Sequence, residues 1–187
     1  MADLLNDNSI FYTTTCNGCK YPITIIGEHS SFGNKDELPE VLFLLEAYRE
    51  SLKGGVEIIS HTYNNDMGEI RFDHPLRKIL YALFSNYGSH NCHLDSLWLP
   101  ASITEINECF LGNERNVTLY MSAKIPPRII GDLEEELGMW EYFADEDKFK
   151  VIYVPKESIM LYKFHPVWGH YHSDKIVGYD FNELIKN

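Results

Sequence analysis

Leu97-Trp98-Leu99-Pro100 is the stretch that decides the fold, because the chain repeats its pattern at Ile152-Tyr153-Val154-Pro155. In both, two aliphatic residues flank one aromatic residue and a proline closes the run. Such alternation predicts a short strand with one buried face, and the proline ends the strand because it has no N–H for a ladder hydrogen bond. Leu119-Tyr120-Met121 repeats the alternation without the proline, and Ile70-Arg71-Phe72 is followed by Pro75. Short strands that return at roughly regular distances predict a solenoid, whose stacked units present a surface for binding.

The composition is that of a folded domain with an acidic excess. The chain has 187 residues, 44% of them hydrophobic, which is enough for one core. Its formal charge of −12 argues against nucleic acid as a partner, since binding to a phosphate backbone needs clustered cations. No apolar run has the length of a membrane-spanning helix, so no membrane insertion is expected. Without a secretory signal pattern, the sequence as written predicts a cytoplasmic protein, or a cell-surface or secreted one if a leader has been removed.

Residues 1–74 are predicted to form β-hairpins with an inserted helix. Asn17-Gly18, between two runs of β-formers, is typical of a tight hairpin turn. Apolar residues spaced three and four apart then indicate a helix, and strand-like composition returns after it. The expected segments are strands at 10–15 and 21–26, a helix at about 36–53, and strands at 56–61 and 69–72.

Residues 75–187 are predicted to hold repeat-like units and a closing module, in one structural domain with the first part. Proline, isoleucine and phenylalanine occur in the same order twice, as Pro75, Ile79 and Phe84 and as Pro100, Ile106 and Phe110. A unit of this kind buries its apolar side only by stacking on its neighbours. The closing part is expected to contain a short amphipathic helix that includes Phe143, a helix at 158–164 with Trp168 and Tyr171 packed behind it, and a strand at 176–181.

Lys150–Ser158, Trp168 and the run Asp174–Phe181 resemble the closing module of BspA-type leucine-rich-repeat proteins of Bacteroidetes. Leu97–Ile106 is similar to the repeat opening of that family, and Ala123–Pro127 to the segment that joins the last repeat to the closing module. The resemblance implies a short, degenerate member with an α+β fold. That fold is a short leucine-rich-repeat-like β-solenoid with a β-rich N-terminal portion, an inserted helix and an α/β C-terminal cap. It also implies adhesion or protein–protein binding, without catalysis and without a cofactor.

Aromatic residues occupy middle or outward positions of the short strands, at Tyr12, Tyr63, Trp98, Tyr120 and Tyr153. Because successive side chains of a strand point to opposite faces, all five are predicted to point away from the aliphatic core. Trp98, Tyr120 and Tyr153 then form an aromatic stripe across successive repeats, and such rings are frequent hot spots of protein interfaces. The alternative is that another part of the chain covers them. The function predicted from this stripe is non-catalytic protein binding, with the partner and the oligomeric state left open.

Cysteines and histidines support a different hypothesis, a metal-binding protein or metal-dependent enzyme. Cys16 and Cys19 have the spacing of half a zinc site or of a redox pair, although a hairpin turn with two incidental thiols is the simpler interpretation. His170 and His172, two apart on a strand or extended loop, have a spacing suited to chelation with a third ligand from elsewhere. Ordinary surface histidines are the simpler interpretation there. A third hypothesis is an acidic inhibitor or decoy of an enzyme that acts on nucleic acid.

Overall fold

The computed structural model describes residues 7–16, 58–64, 67–79, 92–112, 114–131 and 141–182, which form a mixed α/β fold rich in strands. The strands are β1 (Ser9–Cys16), β2 (Ile58–Asn64), β3 (Met67–Phe72), β4 (Lys78–Ile79), β5 (Cys92–Leu99), β6 (Glu105–Asn107), β7 (Val117–Met121), β8 (Arg128–Ile130), β9 (Phe149–Pro155) and β10 (Ile176–Tyr179). The helices are α1 (Glu141–Ala144), α2 (Ile159–Lys163) and α3 (Trp168–His172), with a 3₁₀ turn at Lys156–Ser158 before α2.

These strands form two sheets. The large sheet has the order β10-β9-β7-β5-β1-β3-β2, and the small sheet has the order β4-β6-β8. Within the large sheet β5, β7, β9 and β10 run parallel, whereas β1 is antiparallel to both β5 and β3. All pairs of the small sheet are parallel. From β4 to β9 the chain therefore alternates strand by strand between the small and the large sheet.

The predicted alternation of the short strands is confirmed. Leu97 and Leu99 of β5 are buried, and so are the aliphatic residues of β7 and β9 that lie beside them in the core. Each strand places its aromatic residue on the opposite face, where Trp98, Tyr120 and Tyr153 are half-buried. Burial of one such aliphatic side chain contributes about 1.5–3 kcal/mol, so the recurring pairs hold the parallel strands together.

The segments predicted to be repeat-like units supply further core residues on and around the small sheet, namely Leu76, Ile79, Ile103, Ile106 and Phe110. The chain leaves β6 through a turn that a buried side chain organises, since Asn107 Oδ1 accepts the backbone N–H of Cys109 at 2.8 Å. Lys148, the residue before β9, stabilises the same turn by donating to the carbonyl of Gly112 at 2.7 Å. Position 84, expected to match Phe110, lies outside the described residues.

The closing part is anchored to Ala123–Pro127 by two buried hydrogen bonds. The hydroxyl of Tyr162 on α2 donates to the carbonyl of Ala123 at 2.8 Å, and Nε1 of Trp168 on α3 donates to the carbonyl of Pro127 at 2.7 Å. The expected helix after position 158 and the packing of Trp168 and Tyr171 behind it are confirmed. The last strand is shorter than expected and ends at Tyr179.

At the N-terminal side, the strand expected at 10–15 is β1 and the second hairpin is β2 with β3. The partner expected for the first hairpin, at 21–26, and the helix at 36–53 lie outside the described residues. No helix in the described part of the chain is both long enough and apolar enough to cross a membrane.

Tyr12 is a correction to the sequence analysis, because its side chain is 0% exposed and belongs to the core. Along β1, Ile10 and Tyr12 face the core and Phe11 faces outward, although Phe11 is also buried. Both faces of β1 are therefore apolar, and alternation alone did not show which face is the core. The side chain of Tyr63 lies outside what the structure describes.

Candidate binding surface

A row of side chains, one from each strand, crosses the large sheet on the face opposite to the core, here called the outer face. Residues directly opposite each other on neighbouring strands share a face, and the registers connect the row without a break. From β10 to β2 its members are Val177, Tyr153, Tyr120, Trp98, Phe11, Glu69 and Thr62.

In the middle of this line of seven side chains, three rings form a continuous stack, here called the aromatic row. Its members, Trp98, Tyr120 and Tyr153, are the residues of the predicted aromatic stripe. The ring centroids of Trp98 and Tyr120 are 4.6 Å apart with the planes 5° from parallel, and those of Tyr120 and Tyr153 are 4.8 Å apart at 24°. Neighbouring strands of a sheet are separated by about 4.7–4.9 Å. The parallel register of β5, β7 and β9 therefore sets the stacking distance.

Tyr179 of β10 extends the aromatic row and was missed by the sequence analysis. Its ring centroid lies 5.6 Å from that of Tyr120 and 5.3 Å from that of Tyr153, and Phe181 packs against it edge-on at 5.1 Å. The signal was present, because Ile176 is buried and every second residue after Val177 must share the outer face.

The rings expose part of their surface, since Trp98, Tyr120, Tyr153 and Tyr179 are all half-buried. The stacked rings cover much of one another's faces, so the exposed part is mainly at the ring edges. Burial, and after it the neighbouring Tyr153 and Tyr179, raise the pKa of the Tyr120 hydroxyl. That hydroxyl is therefore a protonated donor at neutral pH. The indole Nε1–H of Trp98 is buried and has no hydrogen-bond partner among the described residues.

The surroundings of the aromatic row on the outer face are polar toward the N-terminal strands. The hydroxyls of Thr13 and Ser96 are hydrogen-bonded to each other across β1 and β5. Further along, the hydroxyl of Ser9 donates to Oε1 of Glu69 at 3.0 Å. At the other end Val177 is 43% exposed. The outer face thus carries the aromatic row between hydrogen-bonded polar groups, of which Ser9 and Ser96 are buried, and the exposed Val177.

Of the two cysteines in the zinc or redox hypothesis, the structure describes the backbone of one, Cys16. Cys16 is the last residue of β1, and its backbone lies opposite that of Cys92 in β5. Cys19 lies outside the described residues. The zinc or redox hypothesis for this pair therefore stays a prediction.

His170 and His172 lie on α3 and not on the extended segment that we expected. Residues two apart on a helix point about 200° apart, and these two do so. His170 is exposed with its ring against Tyr171, whereas His172 is fully buried and hydrogen-bonded to the carbonyl of Phe143. The two imidazoles therefore share no ligand position, and the described residues contain no group of three or more His, Cys, Asp or Glu residues that could hold a metal ion.

Comparisons of the chain with protein-family models, with curated proteins and with solved structures found no match. The function is therefore inferred from the geometry of the chain itself. Stacked rings with hydroxyl groups at their edges supply apolar surface and hydrogen-bond donors, which are the groups of a binding surface.

Proposed function

We propose that this protein is a non-catalytic protein-binding module of the leucine-rich-repeat class and that it binds its partner through the aromatic row. The observation that carries the proposal is the unbroken stack of Trp98, Tyr120 and Tyr153 on the outer face of the sheet. None of these rings belongs to the core cluster that holds the strands together.

The class of module is supported by the path of the chain. Successive strands from β4 to β9 alternate between the small and the large sheet and pair in parallel within each, as in a short solenoid whose turns each contribute one strand to either side. A buried asparagine, Asn107, holds the turn after β6. The closing part is anchored to Ala123–Pro127, the segment that resembles the junction of BspA-type proteins. A short solenoid of this type with an α/β closing module is the architecture we propose.

A protein partner is supported by the chemistry of the surface. Tryptophan and tyrosine dominate the hot spots of protein interfaces because each buries a large apolar area and carries one polar group. Here stacking already restricts the rings, so binding loses less side-chain entropy than it would with free rings. The formal charge of −12 also favours a protein over a nucleic acid as the partner.

Affinity capture with matched variants tests this proposal. The wild-type chain, a variant with Tyr120→Ser and Tyr153→Ser, and a control with Met160→Ser and Phe164→Ser would be immobilised and exposed to the same native lysate. Met160 and Phe164 are also large exposed apolar residues, but they lie on and just after α2. The control therefore has the same loss of apolar character at a different surface. Circular dichroism on each variant establishes that it is folded.

We expect a protein retained by the wild type and by the control, and lost with the aromatic-row variant. A direct titration of the purified partner should then show at least a tenfold weaker dissociation constant for that variant, since hot-spot truncations cost about 2 kcal/mol or more. Loss of the partner only in the Met160 and Phe164 variant would contradict the assignment of the surface. Absence of any specific partner, or turnover of a captured ligand, would contradict the proposed function.

A further inference from the structure

Helix α3 is held at its beginning by a histidine that acts as a hydrogen-bond acceptor. Nδ1 of His165 accepts the backbone N–H of Val167 at 3.2 Å and that of Trp168 at 3.3 Å. These are donors that a helix leaves unpaired in its first turn. A ring nitrogen accepts only while it carries no proton, so this contact requires the neutral imidazole with its hydrogen on Nε2.

A second histidine at the end of α3 acts as a donor. His172 is 0% exposed, and its Nε2 lies 2.7 Å from the carbonyl oxygen of Phe143 on α1. Because a carbonyl only accepts, Nε2 carries the hydrogen. Nδ1 is buried with no hydrogen-bond partner among the described residues. The His172 ring lies edge-on to two phenylalanine rings, with centroids 5.0 Å from that of Phe143 and 4.9 Å from that of Phe149.

We propose that α3 is an acid-released element, which protonation of His165 and His172 detaches from α1 and from the large sheet. In both residues the added proton goes to Nδ1. At His165 it turns the acceptor into a donor that faces two N–H groups. At His172 it places a positive charge and an unpaired N–H among apolar rings, which is costly for any buried group.

Acidic groups near His172 offset only part of the cost of a positive charge on its buried ring. Burial, as the largest influence, lowers the pKa of His172, and the carbonyl of Phe143 and the charges of Asp174 and Asp145 act in the opposite direction. Burial also lowers the pKa of His165. Among the described side chains on α3 and on the segments next to it, the other titratable or charged groups are Tyr162, which is bonded to Ala123, Lys148, which is bonded to Gly112, Lys163, Tyr171, and the exposed Lys150 and His170. Lys175 also disfavours the charged form of His172.

The direction of the pH response follows from these contacts. The open state binds protons at the ordinary histidine pKa of 6.5 and the closed state at a lower one. The closed state is therefore fully favoured above about pH 6.5 and loses stability as the pH falls through the window below it. Each excluded proton changes the opening equilibrium by up to about tenfold per pH unit, and two change it by up to about a hundredfold.

Other groups with a shifted pKa act outside this window or in the opposite direction. The hydrogen bond from Lys78, as the largest influence, lowers the pKa of Glu105 below 4.5. Burial raises the pKa of Glu114, so acid stabilises the fold there. Among the described groups with a shifted pKa, His165 and His172 are therefore the ones whose protonation just below pH 6.5 favours the open state.

Release uncovers the apolar centre of the closing part. Trp168 is 0% exposed, lies edge-on to Phe143 with centroids 5.0 Å apart, and donates its indole N–H to the carbonyl of Pro127. Detachment of α3 exposes both rings and breaks that hydrogen bond. The protein thus has a closed form at neutral pH and a form with a new apolar surface in acid.

Hydrogen exchange of the full chain tests the proposal, measured by mass spectrometry from about pH 7.5 to about pH 5 and corrected for the intrinsic rate at each pH. Amides of Trp168–His172 should open progressively more often as the pH falls below about 6.5, by up to about a hundredfold per pH unit. Amides of β7, which are central in the large sheet, serve as the internal reference and should not change. Equal acceleration of both segments would indicate global unfolding and overturn the proposal, as would no acceleration.

Variants separate titration from structure. His165→Asn keeps an acceptor near Nδ1 and His172→Gln keeps a donor near Nε2, but neither side chain titrates. The double variant should keep α3 closed down to about pH 5, whereas His170→Gln, which removes the exposed histidine of the same helix, should respond like the wild type. An unchanged response in a folded double variant would overturn the proposal. NMR titration of the wild-type imidazoles gives an independent result, and a His172 pKa at or above 6.5 would contradict it.

Discussion

The ring of Tyr12 fills the space that a side chain at position 68 would need. The two residues are direct partners across β1 and β3, and a Cβ built on Gly68 would lie 1.9 Å from Cζ of Tyr12. Both residues are buried. A glycine opposite an aromatic ring thus fixes the register between the first strand and the hairpin of β2 and β3.

Gly68→Ala is therefore expected to destabilise the protein by about 1–3 kcal/mol, the range of overpacking in a dense core. Urea denaturation followed by circular dichroism measures the change. Gly131→Ala is the matched control. Gly131 is exposed, and the nearest atom to its added Cβ would be Oε1 at the end of the Glu108 side chain, 3.1 Å away. If both variants have the same free energy of unfolding, the account of Tyr12 and Gly68 is wrong.

Tyr162→Phe removes the hydroxyl that joins α2 to Ala123 and leaves a buried carbonyl unpaired. Such a loss costs about 1–3 kcal/mol. Tyr171→Phe, on the partly buried tyrosine of α3, should change the free energy of unfolding by about 0.5 kcal/mol or less. Thermal and urea unfolding of the two variants make the comparison, and a larger effect at Tyr171 would contradict it.

Tyr120→Ala interrupts the aromatic row between its two neighbours. Each stacked pair contributes about 0.5–1.5 kcal/mol beyond its buried area, so the variant should lose about 1–3 kcal/mol together with part of the aromatic near-ultraviolet dichroism. Tyr120→Phe keeps both contacts and should retain most of the stability. Equal losses in the two variants would show that the hydroxyl, and not the stack, stabilises this face.

Glu114 should make the protein more stable in mild acid. Its carboxylate accepts the N–H of Leu94 at 3.1 Å, and burial raises its pKa above 4.5. The folded state then binds the proton more tightly than the unfolded state does. The contribution of Glu114 is therefore complete below about pH 4.5 and is lost as the pH rises through the folded-state pKa.

Glu114→Gln keeps an acceptor for Leu94 and removes the titration. We expect the variant to be at least as stable as the wild type at pH 7, with the difference shrinking toward pH 4.5. Urea denaturation at a series of pH values measures it. A difference that does not depend on pH would rule out a role for the ionisation of Glu114.

The sequence predicted the strands whose two faces differ in chemistry. In β5, β7 and β9 aliphatic residues alternate with one aromatic residue, so both the core and the aromatic row were predictable from the period. The prediction was wrong at Tyr12, because both faces of β1 are apolar and only the register with Gly68 shows which side is the core. The five-residue helix α3 has no periodic signal of its own, so its hydrogen bonds to His165 and from the buried His172 were not predictable.

The position of β1 between β5 and β3 also affects the order in which the chain can assemble. Its partners in β3 leave the ribosome well before those in β5, and synthesis proceeds at about 5–20 residues per second. For roughly a second or more of translation, β1 has one neighbour available and its other edge unpaired. Until Cys92–Leu99 emerges, this unpaired edge is open to pairing with a strand of another chain.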